Sequence, residues 1–354
     1  MAEPQAKTPA ALGLHMPAEW HPHHSTWLTW PKDPETWPGR VTQVEDIYLE
    51  MIAALTPHEI VDLLVDDLET EQKVRAKCSA GSASRIRFHR VETVDSWIRD
   101  YGPNFLIGSN GEGAFNDWVF NAWGNKYEEL KKDDSIPLRL EAILKLPRFA
   151  PGIVMEGGSI DVNGAGCVLT TEQCLLNPNR NPGFSQNEIE QYLKDYLGVA
   201  KVLWLGEGIV GDDTDGHIDD IARFAAPDVI VCAIEEDPAD ANYEILQDNL
   251  ARLRSMTDAA GHSFAIVTLP MPGVVGGMST GTRDLERLPA SYANFYIANS
   301  VVLAPVFGHR NDARAVETLQ KFFPTRRIVP INCEPLVWGM GTIHCVTQQQ
   351  PQIS

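Results

Sequence analysis

Three polar clusters stand far apart in the 354-residue sequence: Trp97-Ile98-Arg99-Asp100, Gly216-His217-Ile218-Asp219-Asp220, and Gly341-Thr342-Ile343-His344-Cys345. Together they offer a thiol, an imidazole and several carboxylates, the groups needed to attack a carbon that carries positive charge. Cys345 taken alone reads as a small buried apolar residue. Its surroundings argue for more. Gly339 and Gly341 let the backbone approach a substrate closely. Thr342, His344, Thr347, Gln348 and Gln349 make the segment polar where a core strand would be apolar. If 217–224 is extended, His217 and Asp219 share a face, because strand side chains repeat every two residues. An imidazole beside a carboxylate is a proton-transfer pair. Trp97 could stack on a flat cation, and Asp100 could take a guanidinium fork. The chemistry these parts suit best is attack on a guanidinium group.

Each cluster also has a plainer reading. The acidic run Asp212-Asp213-Thr214-Asp215 before His217 could be a solvated turn or a cation site, though it lacks EF-hand spacing and no HExxH occurs. Arg99 and an Asp could pair to stabilise the turn at Gly102-Pro103, with Trp97 in the core. Glu156-Gly157-Gly158-Ser159 puts a carboxylate before two glycines, either a further acidic contact or the exposed acid of a strand-start turn. His21-Pro22-His23-His24 reads as a polar loop beside a strand rather than a metal site. No GxGxxG follows a strand and there is no Walker A pattern, so no nucleotide cofactor is expected.

The elements that must position these clusters alternate between strand and helix. Strands are expected at 24–30 and 59–65 around a helix at 42–55, and a helix at 69–77 precedes a strand at 85–90. Ser185-Gln186-Asn187-Glu188 is a capping box opening a helix through Tyr196 that Gly198 stops, followed by a strand at 202–205. The pattern returns as strand 229–234, helix 241–256, strand 264–269, and as strand 301–305, helix 312–322, strand 327–331. A last strand is expected at 343–348, placed to pair with the 69–90 segment and close a ring. Repeats of roughly 60 residues fit a radial pseudo-symmetric α/β arrangement, which can bring loops from separate modules to one axis. An open doubly wound sheet would alternate in the same way.

The bulk numbers fit a soluble globular chain forming one catalytic domain over 1–354, with about 1–12 and 350–354 loose. A formal net charge of -19 disfavours nucleic acid and anionic membranes and mildly attracts small cations. Six cysteines without CxxC spacing suggest a reducing compartment, the cytoplasm. The first residues lack the apolar core of a secretory signal, and no apolar run nears the ~20 residues of a membrane span. Oligomeric state is not legible; a homo-oligomer is compatible with all of this.

Longer motifs carry a resemblance over nearly the whole chain. They are Met16-Pro17-Ala18-Glu19-Trp20, Thr26-Trp27-Leu28-Thr29-Trp30-Pro31, Trp97 through Pro103, Phe120-Asn121-Ala122-Trp123-Gly124, Glu156 through Ser159, Asp212 through Asp219, Ala290 through Asn299, and Ile343 through Gln349. The chain resembles the agmatine deiminase and bacterial peptidyl-arginine deiminase family, within the guanidino-group-modifying superfamily. The resemblance implies a five-fold pseudo-symmetric α/β propeller of the pentein type with its active site on the axis. It implies Cys345 as nucleophile, His217 as general acid/base, and Asp100 and Asp219 holding the guanidinium. Trp97, Glu156, Asp213 and Gly341 are expected to contact substrate, with no metal or organic cofactor. The expected reaction hydrolyses agmatine to N-carbamoylputrescine and ammonia, and peptidyl-arginine or another small guanidine is the alternative substrate. Two departures stand out. Relatives usually carry Gly-Gly-Gly-Asn before the Ile-His-Cys, where this chain has Gly339-Met340-Gly341-Thr342, and the stretch 270–287 is short for the family.

Overall fold

A computed structural model describes residues 7–276 and 287–353. Five small sheets make up its strands, and each is built on one scheme. Two neighbouring strands pair antiparallel, and a helical crossover then returns the chain to a parallel partner. In the third sheet Asp161–Val162 pairs antiparallel with Cys167–Thr171, which pairs parallel with Lys201–Leu205. The fourth repeats this with Ala222–Ala226, Val229–Ile234 and Ala265–Pro270. The fifth repeats it with Tyr296–Ile297, Val301–Val306 and Arg327–Asn332. In the second, Asn104–Gly108 pairs antiparallel with Gly113–Asn116, which pairs parallel with Arg148–Phe149, and the short Leu14–His15 adds an edge. Five copies of one unit make the fold a five-fold pseudo-symmetric α/β propeller.

The local sequence explains the units. Inner parallel strands are covered on both faces and so read as continuous apolar runs, as in Val229–Ile234. Crossover helices show one apolar stripe: Val44, Ile47, Tyr48, Met51, Ile52 and Leu55 are buried along Val41–Leu55. The helix Gln186–Leu197 opens on the expected capping box, with Ser185 and Glu188 bonded in both directions, worth about 1 kcal/mol. Gly198 ends it in the left-handed region at φ 66°, tight against His15, where a side chain would be strained.

The first sheet closes the ring. His23–Thr29 pairs parallel with Ile60–Val65, which pairs parallel with Ile86–Arg90. On its other edge His23–Thr29 takes the C-terminal strand Gln348–Pro351 in antiparallel register, Gln348 opposite Trp27 and Gln350 opposite Ser25. This corrects two expectations. The last strand begins at Gln348, after a turn that holds Cys345, and its partner is the 23–29 strand rather than the 69–90 segment. Nor is the tail loose: Gln350 accepts from the Trp27 indole at 2.9 Å and from Ser25 at 3.3 Å, and Gln352 N donates to Pro22 O at 2.7 Å. At the other end Ala10–Leu12 forms a 3-10 turn where looseness was expected. Within the first strand His23 is buried, bonded to Glu59 and the Glu19 carbonyl, rather than exposed on a polar loop. Among the described residues no helix is long and apolar enough to cross a membrane.

The middle of the ring is charged. Arg223, fully buried, lies 2.9 Å from Glu19 and 3.2 Å from Asp161 and donates to the Phe295 carbonyl at 2.8 Å. Arg99 reaches Glu19 at 3.5 Å, Gln349 at 2.8 Å and the His344 carbonyl at 3.2 Å, so its partners are these and not the neighbouring Asp. Buried charges must be paired, and here residues from all around the ring pair one another.

Candidate active site

On this charged hub the structure assembles the three clusters. The short helix Ile98–Tyr101 carries Asp100, held from behind by the Trp123 indole N–H at 3.0 Å and the Gly158 N–H at 2.9 Å. His217 precedes a 3-10 turn, Ile218–Asp220, which replaces the extended segment expected there. The turn still gathers His217 and Asp219 with Asp100 around Gly158. A Cβ on that glycine would stand 2.6 Å from His217 Nδ1, 2.8 Å from Asp100 Oδ1 and 3.2 Å from Asp219 Oδ2. His217 Nδ1 is 3.7 Å from Asp100 Oδ1, its Nε2 is 4.0 Å from Glu156 Oε2, and neither nitrogen has a hydrogen-bond partner. A buried, unsatisfied imidazole is a group waiting for a partner.

Cys345 lies in the turn before the closing strand. Its Sγ accepts from Asn294 Nδ2 at 3.2 Å and is 3.8 Å from Asp219 Oδ2. Asn294 is fixed in turn: Nδ2 also reaches Asp220 at 3.1 Å, and Oδ1 accepts from Thr342 at 2.7 Å and from the His344 N–H at 2.9 Å. An amide therefore does stand at the thiol, supplied by Asn294, and Thr342 braces it. Gly341 passes so close that a Cβ there would meet Trp97 at 2.7 Å and Cys345 Sγ at 3.1 Å. Met340 beside it holds φ 73°, a left-handed conformation that costs roughly 1 kcal/mol or more without glycine.

Behind Asp219 sits His344, with Nδ1 2.7 Å from Asp219 Oδ2 and Nε2 2.8 Å from Glu19 Oε2. Burial works against the Asp219 carboxylate, but the His344 hydrogen bond and charge, then His217, hold its pKa below the ordinary value. Asp100 goes the other way: burial, then the charges of Asp219 and Glu156, push it well above the usual carboxylate range. Burial, then the charges of Asp219, Asp220 and Asp100, raise the Cys345 thiol well above its normal value. Burial pushes His217 down to about 3, against the pull of Asp219. These acids thus give the site a negative potential.

Trp97, Asp100, Asp213, Gly341 and Cys345 line a cavity of about 580 Å³. His217 and Asp219 lie one layer beneath, buried. Glu156, expected at the substrate, is placed elsewhere: fully buried behind His217 and paired with Arg180 at 2.7 Å. The acidic run is also mostly spent internally. Asp212 accepts from the N–H groups of Thr214 and Gly216, Asp215 pairs with Arg180 and Lys126, and Asp213 bonds Tyr127 and lies 3.3 Å from Lys126. Of that run Asp213 and Thr214 reach the wall. Sequence reasoning gave no role to Trp123, Asn294, Arg180 or Asp95, although Trp123 and Asn294 fall inside long motifs. Asp95 lines the cavity, bonded to Thr36 and the Trp97 indole, and burial raises it to about 7. The aromatic walls are completed by Tyr127 and Trp338. The stretch 270–287, expected to be short for the family, lies largely in residues 277–286, outside those described.

The chain belongs to the Porphyromonas-type peptidyl-arginine deiminase family, whose sequence profile matches residues 15–351. More particularly, it is 38% identical over 361 residues to the agmatine deiminase of Ectopseudomonas mendocina, covering 97% of each chain. It superposes on the Enterococcus faecalis agmatine deiminase with a TM-score of 0.92 at 36% identity, over 99% of this chain and 100% of that one. A substrate-bound Cys-to-Ser agmatine deiminase from C. jejuni matches with a TM-score of 0.86 at 29% identity, over 96% and 97% of the two chains.

Proposed function

We propose that this protein is an agmatine deiminase, a hydrolase of linear amidine C–N bonds that converts agmatine and water to N-carbamoylputrescine and ammonia. One observation favours agmatine over arginine. Among the described residues lining the cavity, Lys126 is the sole lysine or arginine, and Asp213 and Asp215 already neutralise it. An α-carboxylate would find no free cation there, whereas an amine tail finds Asp33, Glu35 and Asp95 in the wall.

The chemistry follows from the charges. The guanidinium enters between Asp100 and Asp219, and its positive charge relieves their repulsion. The same charge lowers the Cys345 thiol, which attacks the guanidinium carbon as thiolate. The proton removed from sulfur is the one the departing nitrogen needs, and His217, kept neutral by burial before substrate binds, carries it across. Ammonia leaves and an amidino-thioether remains. His217 then takes a proton from water, the oxygen adds to the same carbon, and the C–S bond breaks to free the ureido product and the thiol. Glu156 orients His217 from behind rather than touching substrate. We place the enzyme in the cytoplasm, in polyamine metabolism, on its substrate and free cysteines.

The test is ammonia and ureido-product release with agmatine, free arginine and a peptidyl-arginine side by side. Agmatine should be the substrate, with kcat/KM for arginine lower by at least about 100-fold, the cost of burying an unpaired carboxylate. Preferred turnover of peptidyl-arginine would overturn the assignment and leave the family membership standing.

A further inference from the structure

We infer that Glu156, Cys174 and His217 form a site for a thiophilic divalent metal ion such as Zn2+, and that filling it switches the enzyme off. The donor atoms of these residues lie within 4.8 Å of one another. Glu156 Oε2 is 4.0 Å from both His217 Nε2 and Cys174 Sγ. Cys174 and Glu156 are fully buried and His217 is nearly so, yet both imidazole nitrogens lack a partner. Glu156 commits its other oxygen, Oε1, to Arg180 at 2.7 Å, which leaves Oε2 turned toward the imidazole and the thiol. The thiol and Oε2 are bonded only to each other and the imidazole to nothing, so three ligand atoms face one small volume.

The donor set suits zinc in kind and in size. Nitrogen, oxygen and sulfur together fit Zn2+, and tetrahedral bonds of about 2.0–2.3 Å place ligand atoms roughly 3.3–3.7 Å apart. Closing the site asks the two pairs now at 4.0 Å to draw in by about half an ångström, and the imidazole and thiol, within 4.8 Å of each other, by at most roughly 1–1.5 Å. The charge also balances. Zn2+ displaces the thiol proton to solvent, and the thiolate and the Glu156 carboxylate neutralise the ion, while Asp215 offsets Arg180 beside them.

The effect on activity follows from the two ends of His217. Nδ1 faces Asp100 and Nε2 faces Glu156. A metal on Nε2 prevents the ring from carrying two protons, so it can no longer take one and pass one on. Only this consequence rests on the proposed reaction; the binding itself does not.

Two measurements test the inference. In Cys345→Ser protein, which lacks the cavity thiol, Co2+ should bind one-to-one with a thiolate-to-metal charge-transfer band, and that band should vanish in Cys345→Ser/Cys174→Ser. In otherwise unaltered enzyme, Zn2+ should inhibit and a chelator should restore activity. Cys174→Ser should keep its metal-free turnover yet need at least about tenfold more Zn2+ for the same inhibition, since even weaker supports of a metal site are worth that much. Cys174→Ala serves if the serine protein folds poorly. A cobalt spectrum without the thiolate band, or one unchanged by loss of Cys174, would overturn the site. Zinc inhibition undiminished in the Cys174 variants would overturn the switch.

Discussion

Cys345 sits among charges that oppose its own ionisation. Burial, then Asp219, Asp220 and Asp100, raise the thiol, and burial with Asp219 and Glu156 raises Asp100. A guanidinium bound between these acids reverses the balance, so binding should drive protons off. The sign is fixed: a group whose pKa is raised before binding and falls on binding releases a proton at any pH between the two values. With Cys345→Ser protein, which cannot turn over, calorimetric titration of agmatine near neutral pH in buffers of different ionisation heat should show release of roughly one proton per site. Heats independent of the buffer would mean that Asp100 is already ionised before substrate arrives. At this scale the sequence named Cys345, His217, Asp100 and Asp219, and the structure brings all four together. It gave Glu156 the wrong neighbour, because nothing local tells a carboxylate that Arg180 will claim it. Asn294 escaped because its partner thiol is 51 residues away.

Elements matter here for the strain and the closure they impose. Ala122, Trp123, Gly124 and Asn125 all have positive φ, and the three non-glycines hold a conformation costing roughly 1–2 kcal/mol each. Asn121 holds the loop by accepting from Gly124 N at 2.8 Å, and the reward is an indole N–H aimed at Asp100. The closing strand Gln348–Pro351 fixes the turn that carries Cys345. Gln350→Ala would strand the buried Trp27 indole without its acceptor, at a cost of about 1–3 kcal/mol. Thermal unfolding should shift down accordingly while turnover at room temperature persists. An unchanged midpoint would show that the strand is held by its backbone ladder alone. Helices and inner strands were legible from periodicity, and several boundaries, such as Val229–Ile234 and Asp312–Phe322, fall where expected. The strand expected over Cys345 failed because its polar residues are buried by partners outside the segment.

The whole molecule carries a net charge of -19, and its cavity adds unpaired acids to that field. Such a field raises the encounter rate of cations, and salt screens it over a Debye length of ~10 Å at 0.1 M. The kcat/KM for dicationic agmatine should therefore fall more steeply with added salt than that for a monocationic alkylguanidine. Parallel slopes for the two would limit the field to solubility. The buried ions at the centre of the ring serve a different end. Glu19 meets Arg223, His344 and Arg99, so the base of the site is one linked network and not a set of independent pairs.

By itself the sequence determined the repeating units, because apolar periodicity and capping are local, and it determined which side chains could do chemistry, because residue type is chemistry. Only the tertiary structure decided which charges remain free. Both nitrogens of His217 stay unspent, whereas Glu156, Asp213 and Asp215 are neutralised by Arg180 and Lys126 from distant segments. The reason is that an ionisable group's behaviour depends on its desolvation and on the charge a few ångströms away, and chain closure sets both.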